Sequence, residues 1–407
     1  MKYRLKGVVI ALFALSSISQ AQQLTSPERS TRSVALPEAA GVESTIPAAP
    51  APSTAKAWIV MDYATKQVLA GENIHEHLAP ASMTKVMTSY AIAAEIQAGR
   101  VKRTDPVLMS ENAWRKGGAG TDGSYSGFPV NKTASLDEME KGMVVQSGND
   151  AAIAIAEHIA GSEDAFAALM NTYAQRLGLH DTHFVDVTGL SVQGHYSSAY
   201  DMALLGRALI HDYPSTYAYN KIKELTVNGI KQPNRNLLLW RDPSVDGIKT
   251  GHTSEAGYCI MNSAQRGDQR LITVIMGAGS ERQRADASMA LLTWGFRFFQ
   301  TYKMYDPSKE VASEKLWKGT VDNVKLTVNS PLLVTIPRGQ YSRLQPSMHL
   351  PKLLEAPIVK GQKIGTLDVM LDGKQIAQAP LVAMNDVPMS GFFDRLWDSA
   401  LLWWESK

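Results

Sequence analysis

Three short motifs, Ser82-Met83-Thr84-Lys85, Ser147-Gly148-Asn149 and Lys249-Thr250-Gly251, lie roughly 60 and 100 residues apart. Their chemistry is useful only in a fold that gathers all three into one place. Each also sits at a junction between elements. Pro80 can open a helix that carries Ser82 and Lys85 into the apolar run Val86, Met87, Tyr90, Ala91 and Ala94. Positions three apart share a helix face, which puts the lysine amine within reach of the serine hydroxyl. Ser147-Gly148-Asn149 makes a small-residue turn ahead of the helical pattern Ile153, Ile155, Ala156 and Ile159. Lys249-Thr250-Gly251 precedes the strand-like run Tyr258-Cys259-Ile260-Met261, and Gly251 lets a substrate backbone lie close.

Singly the motifs are weak. Ser53-Thr54-Ala55-Lys56 repeats the first pattern and Ser110-Glu111-Asn112 the second; only Lys-Thr-Gly occurs once. Together and in this order they are what an acyl-transferring serine enzyme with a lysine base requires, because an unaided serine hydroxyl is a poor nucleophile. The trio resembles that of the low-molecular-mass penicillin-binding proteins of the penicillin-binding protein 5/6 type, serine D-alanyl-D-alanine carboxypeptidases of the bacterial cell wall. The likeness extends to Leu271–Gly277, Arg282-Gln283-Arg284, the run Leu292–Phe299 and Ser197–Ala203, so it covers the chain from about Lys56 to the C-terminus. It implies Ser82 as nucleophile and Lys85 as its base, lowered in pKa by partial burial and a nearby cation such as Lys249. It implies an oxyanion site at the backbone N–H groups of Ser82 and His252. Ser147 passes a proton to the leaving amine, and Asn149 binds the substrate amide or steadies Lys85. Lys249, Thr250 and Arg284 receive a terminal carboxylate, unless Arg284 is instead paired with Glu281 or Asp286. The implied partners are peptidoglycan stem peptides ending D-Ala-D-Ala, with β-lactams as covalent inhibitors.

Three other readings stay open. A class A β-lactamase adds a glutamate that activates the deacylating water; Glu224-Leu225-Thr226-Val227-Asn228 matches such a motif, but in a β-looking stretch close before Lys249. A D,D-endopeptidase shares the trio, and a noncatalytic cell-wall scaffold would keep the fold without it.

The fold class is α+β. Strands near Ala57–Met61 and Gln67–Ala70, a helix-rich centre, and strands at Tyr258–Ala264 and Leu271–Met276 define a catalytic domain over residues 56–303. The resemblance implies an antiparallel sheet with helices on both faces and a helical lobe, the site lying between them. Short β-type runs, Val324–Val328, Leu332–Ile336 and Leu367–Leu371, mark a small all-β domain at 307–385. The terminal segment 388–407 reads as an amphipathic helix: Phe392, Phe393, Leu396, Trp397, Ala400, Leu401, Trp403 and Trp404 share one half, Asp394, Arg395, Asp398, Ser399 and Glu405 the other. That suits a membrane surface, the rival being a helix packed on its own domain.

At the other end, Lys2, Arg4 and Lys6 precede the apolar core Val8–Leu15 and the small-residue site Ser19-Gln20-Ala21. This describes a signal peptide over residues 1–21, hence export and a peripheral place on the periplasmic face of the inner membrane. Residues 22–55, rich in Pro, Ala, Ser and Thr, read as a linker. A net charge of +2 with dispersed Lys and Arg gives no reason to expect nucleic acid. The nine histidines show no metal spacing, His75, His77, His180 and His183 reading as solvated or locally bonded, so no metal or cofactor is expected. The lone Cys259 reads as a buried bystander.

Overall fold

In the strand Ala57–Asp62, Ala57, Ile59 and Met61 face one way and Trp58 and Val60 the other, yet all five are buried. Both faces of its sheet must therefore be covered. The computed structural model, which describes residues 30–33, 46–121 and 123–405, shows how. Five antiparallel strands run in the order Val68–Glu72, Ala57–Asp62, Gln269–Ala278, Gly257–Arg266, Val245–Thr253. One face carries Ala57, Ile59, Met61, Cys259, Met261, Ile272 and Val274 into the main core with the helices Lys85–Gln97, Asn149–Ala160 and Ala199–Asp212. The other carries Trp58, Val60, Ile260 and Ile275 against Leu291 and Trp294 of the helix Glu281–Phe298. Cys259 is buried, as expected.

The helix Lys85–Gln97 is buried on all sides from Lys85 to Glu95. Its apolar residues do not form one stripe, and it runs through the middle of the domain. The helix Leu136–Val145 begins with a reciprocal cap between Ser135 and Glu138 and delivers the chain to the second motif. The lookalike Ser110 is an ordinary N-cap, its Oγ accepting from the Ala113 N–H at 2.9 Å.

The β domain begins earlier than expected. The helix ends at Phe298, and the strand Phe299–Tyr305 follows at once, pairing with Leu332–Pro337. The far boundary moves outward too, since Val387 and Met389 bridge to Ile358 and Gly319. The domain's larger sheet orders Leu344–Leu350, Lys363–Leu371, Lys374–Ala383, Asn323–Val328 and Ala312–Lys315 around a core of Leu326, Val328, Leu367, Val369 and Leu381.

The linker reading needs correction where the structure describes it. Ser30–Ser33 is a strand, added antiparallel to the free side of Leu344–Leu350 with Ser30 opposite Leu350 and Ser33 opposite Ser347. Ile46, Ala49 and Ala55 pack on the Trp58/Trp294 cluster, and Trp294 Nε1 donates to the Pro47 carbonyl at 3.0 Å. Backbone pairing asks nothing special of side chains, so a composition of Ser, Thr and Pro did not disclose it. The signal-peptide reading falls on residues outside those described.

The two domains meet at Asp62, a buried carboxylate at the end of a central strand. It accepts from the Ala64 and Thr65 N–H groups, from Thr65 Oγ, and across the joint from Thr301 Oγ at 2.6 Å. Thr65 Oγ also meets Thr335 Oγ at 2.8 Å. Asp62→Ala strands these donors and is expected to lower stability by about 3 kcal/mol. Thermal unfolding of the purified variant checks this, with Asp62→Asn expected to retain part of the loss.

Candidate active site

The first motif opens as a turn of 3-10 helix, Ala81–Thr84, which passes into the long helix at Lys85. Ala81, just before the serine, has φ +49°, a left-handed conformation a side chain seldom adopts. Ser147 in the second motif has φ +63°. Such backbone persists only where its surroundings hold it. Around Ser147 they do: Asp150, on the first turn of the following helix, accepts from Ser126 N and Ser126 Oγ, both at 2.8 Å, and Asn149 N donates to the Ser124 carbonyl at 2.7 Å.

The third motif lies on Val245–Thr253, the edge strand of the sheet. A Cβ on Gly251 would stand 2.9 Å from Ala81 Cβ, the Pro80 carbonyl oxygen and Ser82 N. Glycine here is what allows the strand and the serine's turn to touch, a closer contact than the substrate approach the sequence suggested. Gly189, at φ +84°, presses on the same turn from the other side; its Cβ would overlap the Ala81 carbonyl.

These elements bring the three motifs together. Lys85 Nζ donates to Ser82 Oγ at 3.0 Å, to Asn149 Oδ1 at 2.7 Å and to the Thr188 carbonyl at 2.8 Å. Lys249 Nζ donates to Ser147 Oγ at 3.0 Å and to its neighbour's carbonyl, Thr250 O, at 3.2 Å. Of the two expected roles for Asn149, steadying Lys85 is the one this geometry supports. Burial pulls the Lys85 ammonium down to about 7, partly opposed by Asp186 and Asp150, while the Arg235 cation adds to the lowering. Lys249 is held well below its usual range by burial, with Lys85 and then Arg235 and Arg284 contributing.

The motifs border a cleft of about 840 Å³ lined by Ser82, Ser147, Asn149, Thr250, Gly251, His252 and Arg284, together with Gly123, Leu190 and Arg235. His252 stacks beside Tyr258, ring centres 4.0 Å apart. Lys249 sits behind Ser147, buried, rather than on the cleft wall. Arg284 is in the wall but already bonded: Nη1 donates to Gly251 O at 2.9 Å and Nη2 to Glu281 Oε1 at 3.0 Å. Asp286, its other suggested partner, pairs with Arg241 and Arg282 instead. Glu224 lies on an exposed hairpin, ion-paired to Lys231, and is not among the residues lining the cleft.

Several contributors escaped sequence reasoning. Thr188 acts through its carbonyl, which every residue possesses. Asp186 shapes that loop by accepting from the Thr188 and Gly189 N–H groups, both at 2.6 Å. Buried His195 accepts the Val185 N–H at Nδ1, which leaves Nε2–H to donate to Thr84 Oγ at 2.8 Å, directly beneath the serine's turn. Arg235 stands alone in sequence and carries no motif. His75 and His77 bond Asp181, and His183 the Gly194 carbonyl, as locally bonded histidines should.

A covered antiparallel sheet with a serine–lysine pair at its edge belongs to the penicillin-binding class of serine enzymes. A family model for D-alanyl-D-alanine carboxypeptidase matches residues 44–280, and one for the C-terminal domain of penicillin-binding protein 5 matches 299–389. The chain is 47% identical over 370 residues to D-alanyl-D-alanine carboxypeptidase DacC of Escherichia coli K12, covering 90% of this chain and 92% of that protein. It is 37% identical over 344 residues to DacF of Bacillus subtilis, with 83% and 87% covered. The crystal structure of penicillin-binding protein 5 from Haemophilus influenzae superposes with a TM-score of 0.79 at 40% identity, covering 85% of this chain and all of that one. This protein belongs to the D-alanyl-D-alanine carboxypeptidase family.

Gly251→Ala is expected to force the motif strand off the serine's turn while leaving both domains folded. A displacement approaching 1 Å at a reacting group costs about a hundredfold in rate. Stopped-flow acylation by a fluorescent penicillin, beside a melting curve, measures it.

Proposed function

We propose that this enzyme is a serine D,D-carboxypeptidase that removes the terminal D-alanine from peptidoglycan stem peptides ending D-Ala-D-Ala, with Ser82 as its nucleophile. The observation that carries this reading is the single ammonium of Lys85 joined to both Ser82 Oγ and Asn149 Oδ1, beside Lys249 on Ser147 Oγ. A lysine drawn down to about 7 is neutral in a large fraction of molecules near physiological pH and can take the Ser82 proton. The Ser82 oxygen attacks the carbonyl between the two D-alanines, and the oxyanion faces the N–H groups of Ser82 and His252. Ser147, backed by Lys249, relays a proton to the departing amine. Thr250 and Arg284 receive the terminal carboxylate. Water then cleaves the Ser82 ester and restores the serine. β-lactams enter the same path as far as the ester. Glu224 does not line the cleft, and Glu281, which does, is bonded to Arg284; among the described residues no glutamate is left free for the hydrolytic step, and the β-lactam ester should persist.

Mass spectrometry of the penicillin-treated protein is expected to find one adduct, on Ser82, and none on Ser82→Ala. The acylation rate should rise with pH through about 7 and then level, because the protonated form of Lys85 dominates below that value and cannot act as base. Label on another residue, or a rate that falls as pH rises through 7, would overturn the assignment. Release of D-alanine from a pentapeptide, against cleavage of a cross-linked muropeptide, tests the substrate.

We also propose that the final helix, Phe392–Glu405, holds the enzyme on the periplasmic face of the inner membrane after export. The helix meets the β domain through its polar side, Asp398 accepting from the Lys318 N–H, while Phe393 is 84% exposed, Trp397 68% and Trp403 60%. Packing of the apolar half on its own domain, the bland alternative, is not what these contacts support. Among the described residues no helix is long and apolar enough to cross a membrane. An outward aromatic face suits the interfacial layer instead. Deleting Phe392–Lys407, which spares the Gly319–Met389 bridge, should abolish co-sedimentation with liposomes while leaving soluble-peptide cleavage within about twofold. Binding of the full chain should resist high salt, since apolar burial supplies most of it.

A further inference from the structure

We propose that Glu281 competes with the substrate's terminal carboxylate for Arg284 and so sets both the affinity for the acid terminus and its discrimination from neutral ones. The inference rests on the carboxypeptidase reading above and concerns a residue that reading leaves without a role.

Arg284 is 4% exposed, and its guanidinium is divided. Nη1 points inward and is committed to the strand, donating to Gly251 O at 2.9 Å and more weakly to Cys259 O at 3.4 Å. Nη2 remains for the cleft side, and Glu281 Oε1 takes it at 3.0 Å. Glu281 is the first residue of the helix Glu281–Phe298, one turn before Arg284, and its side chain is 50% exposed. Among the described residues lining the cleft it is the one carboxylate, facing a wall that includes Arg235 and Arg284.

The pair is therefore lopsided. The arginine is fixed by burial and by two carbonyls, whereas the glutamate is half in water and can rotate away without desolvation. A half-exposed ion pair is weak, so it is easily exchanged. An entering carboxylate must displace Glu281 or accept its repulsion, and recovers an equivalent pair with Nη2 in return. A neutral terminus recovers nothing comparable and leaves Glu281 where it is. Glu281 thus keeps a buried cation partnered while setting the pairing that an acid terminus must displace, and a neutral terminus neither gains nor loses by it.

The test compares a D-Ala-D-Ala peptide as free acid and as C-terminal amide, on wild type, Glu281→Gln and Glu281→Asp. Glu281→Gln should lower KM for the acid about threefold to fivefold, the worth of a partly exposed ion pair, with kcat within about twofold and KM for the amide unchanged. Glu281→Asp keeps the charge and should stay near wild type for the acid. Titration calorimetry with the Ser82→Ala background, alone and with Glu281→Gln, reads the same preference as binding, without turnover. A Glu281→Gln protein whose acid KM rises or stays level, or one losing kcat on acid and amide alike, would show Glu281 to be a support for Arg284 and overturn the inference. Wild-type protein that releases no D-alanine from either peptide would instead overturn the carboxypeptidase reading.

Discussion

The catalytic domain is organised around one buried ammonium. Removing Lys85 from water is costly, and the cost is met only because three acceptors converge on it: Ser82 Oγ, Asn149 Oδ1 and the Thr188 carbonyl. Those acceptors come from three separate stretches of chain. The demand for their convergence ties the central helix, the helix Asn149–Ala160 and the loop around Thr188 to one point. Everything nearby serves to keep that point small and dry, including the left-handed Ala81 and Ser147 and the contact that only glycine permits at 251. The same burial that makes the lysine demanding also lowers its proton affinity, so the structural constraint and the chemical property have one cause.

What could be read beforehand follows a simple division. Ser82, Lys85, Ser147, Asn149 and Lys249 contribute side-chain functional groups at short, characteristic spacings, and the structure gathers them. Thr250, Gly251, His252 and Arg284 line the cleft, though Arg284 proved to be already partnered and Gly251 to admit the serine's own turn. Thr188 contributes a carbonyl, His195 works through Thr84, and Arg235 arrives from a loop with no pattern of its own; none leaves a mark that spacing or composition can register.

The fold divides in the same way. The central strands were legible because burial on both faces makes them continuously apolar. The domain boundary was not, because the helix Glu281–Phe298 runs into the strand Phe299–Tyr305 without a loop, and the apolar residues Phe296, Phe298, Phe299 and Tyr302 span the change. The final segment forms a helix, Phe392–Glu405, where its periodicity suggested one. Which half meets the protein depended on Lys318 and Asp398, a contact made 80 residues apart.

The short strand Ser30–Ser33 changes the character of the β domain. An open outer strand exposes a row of unpaired N–H and C=O groups, a template on which another chain can build. Here the chain's own residues 30–33 pair with Ser347–Leu350 and take that part of the row. A proteolytic cut after Ser33, or a fusion that pulls the segment away, would replace a border of four residues with the longer open edge of Leu344–Leu350. Such a domain would then be prone to join its neighbours edge to edge, at the crowded surface where the terminal helix is proposed to concentrate it.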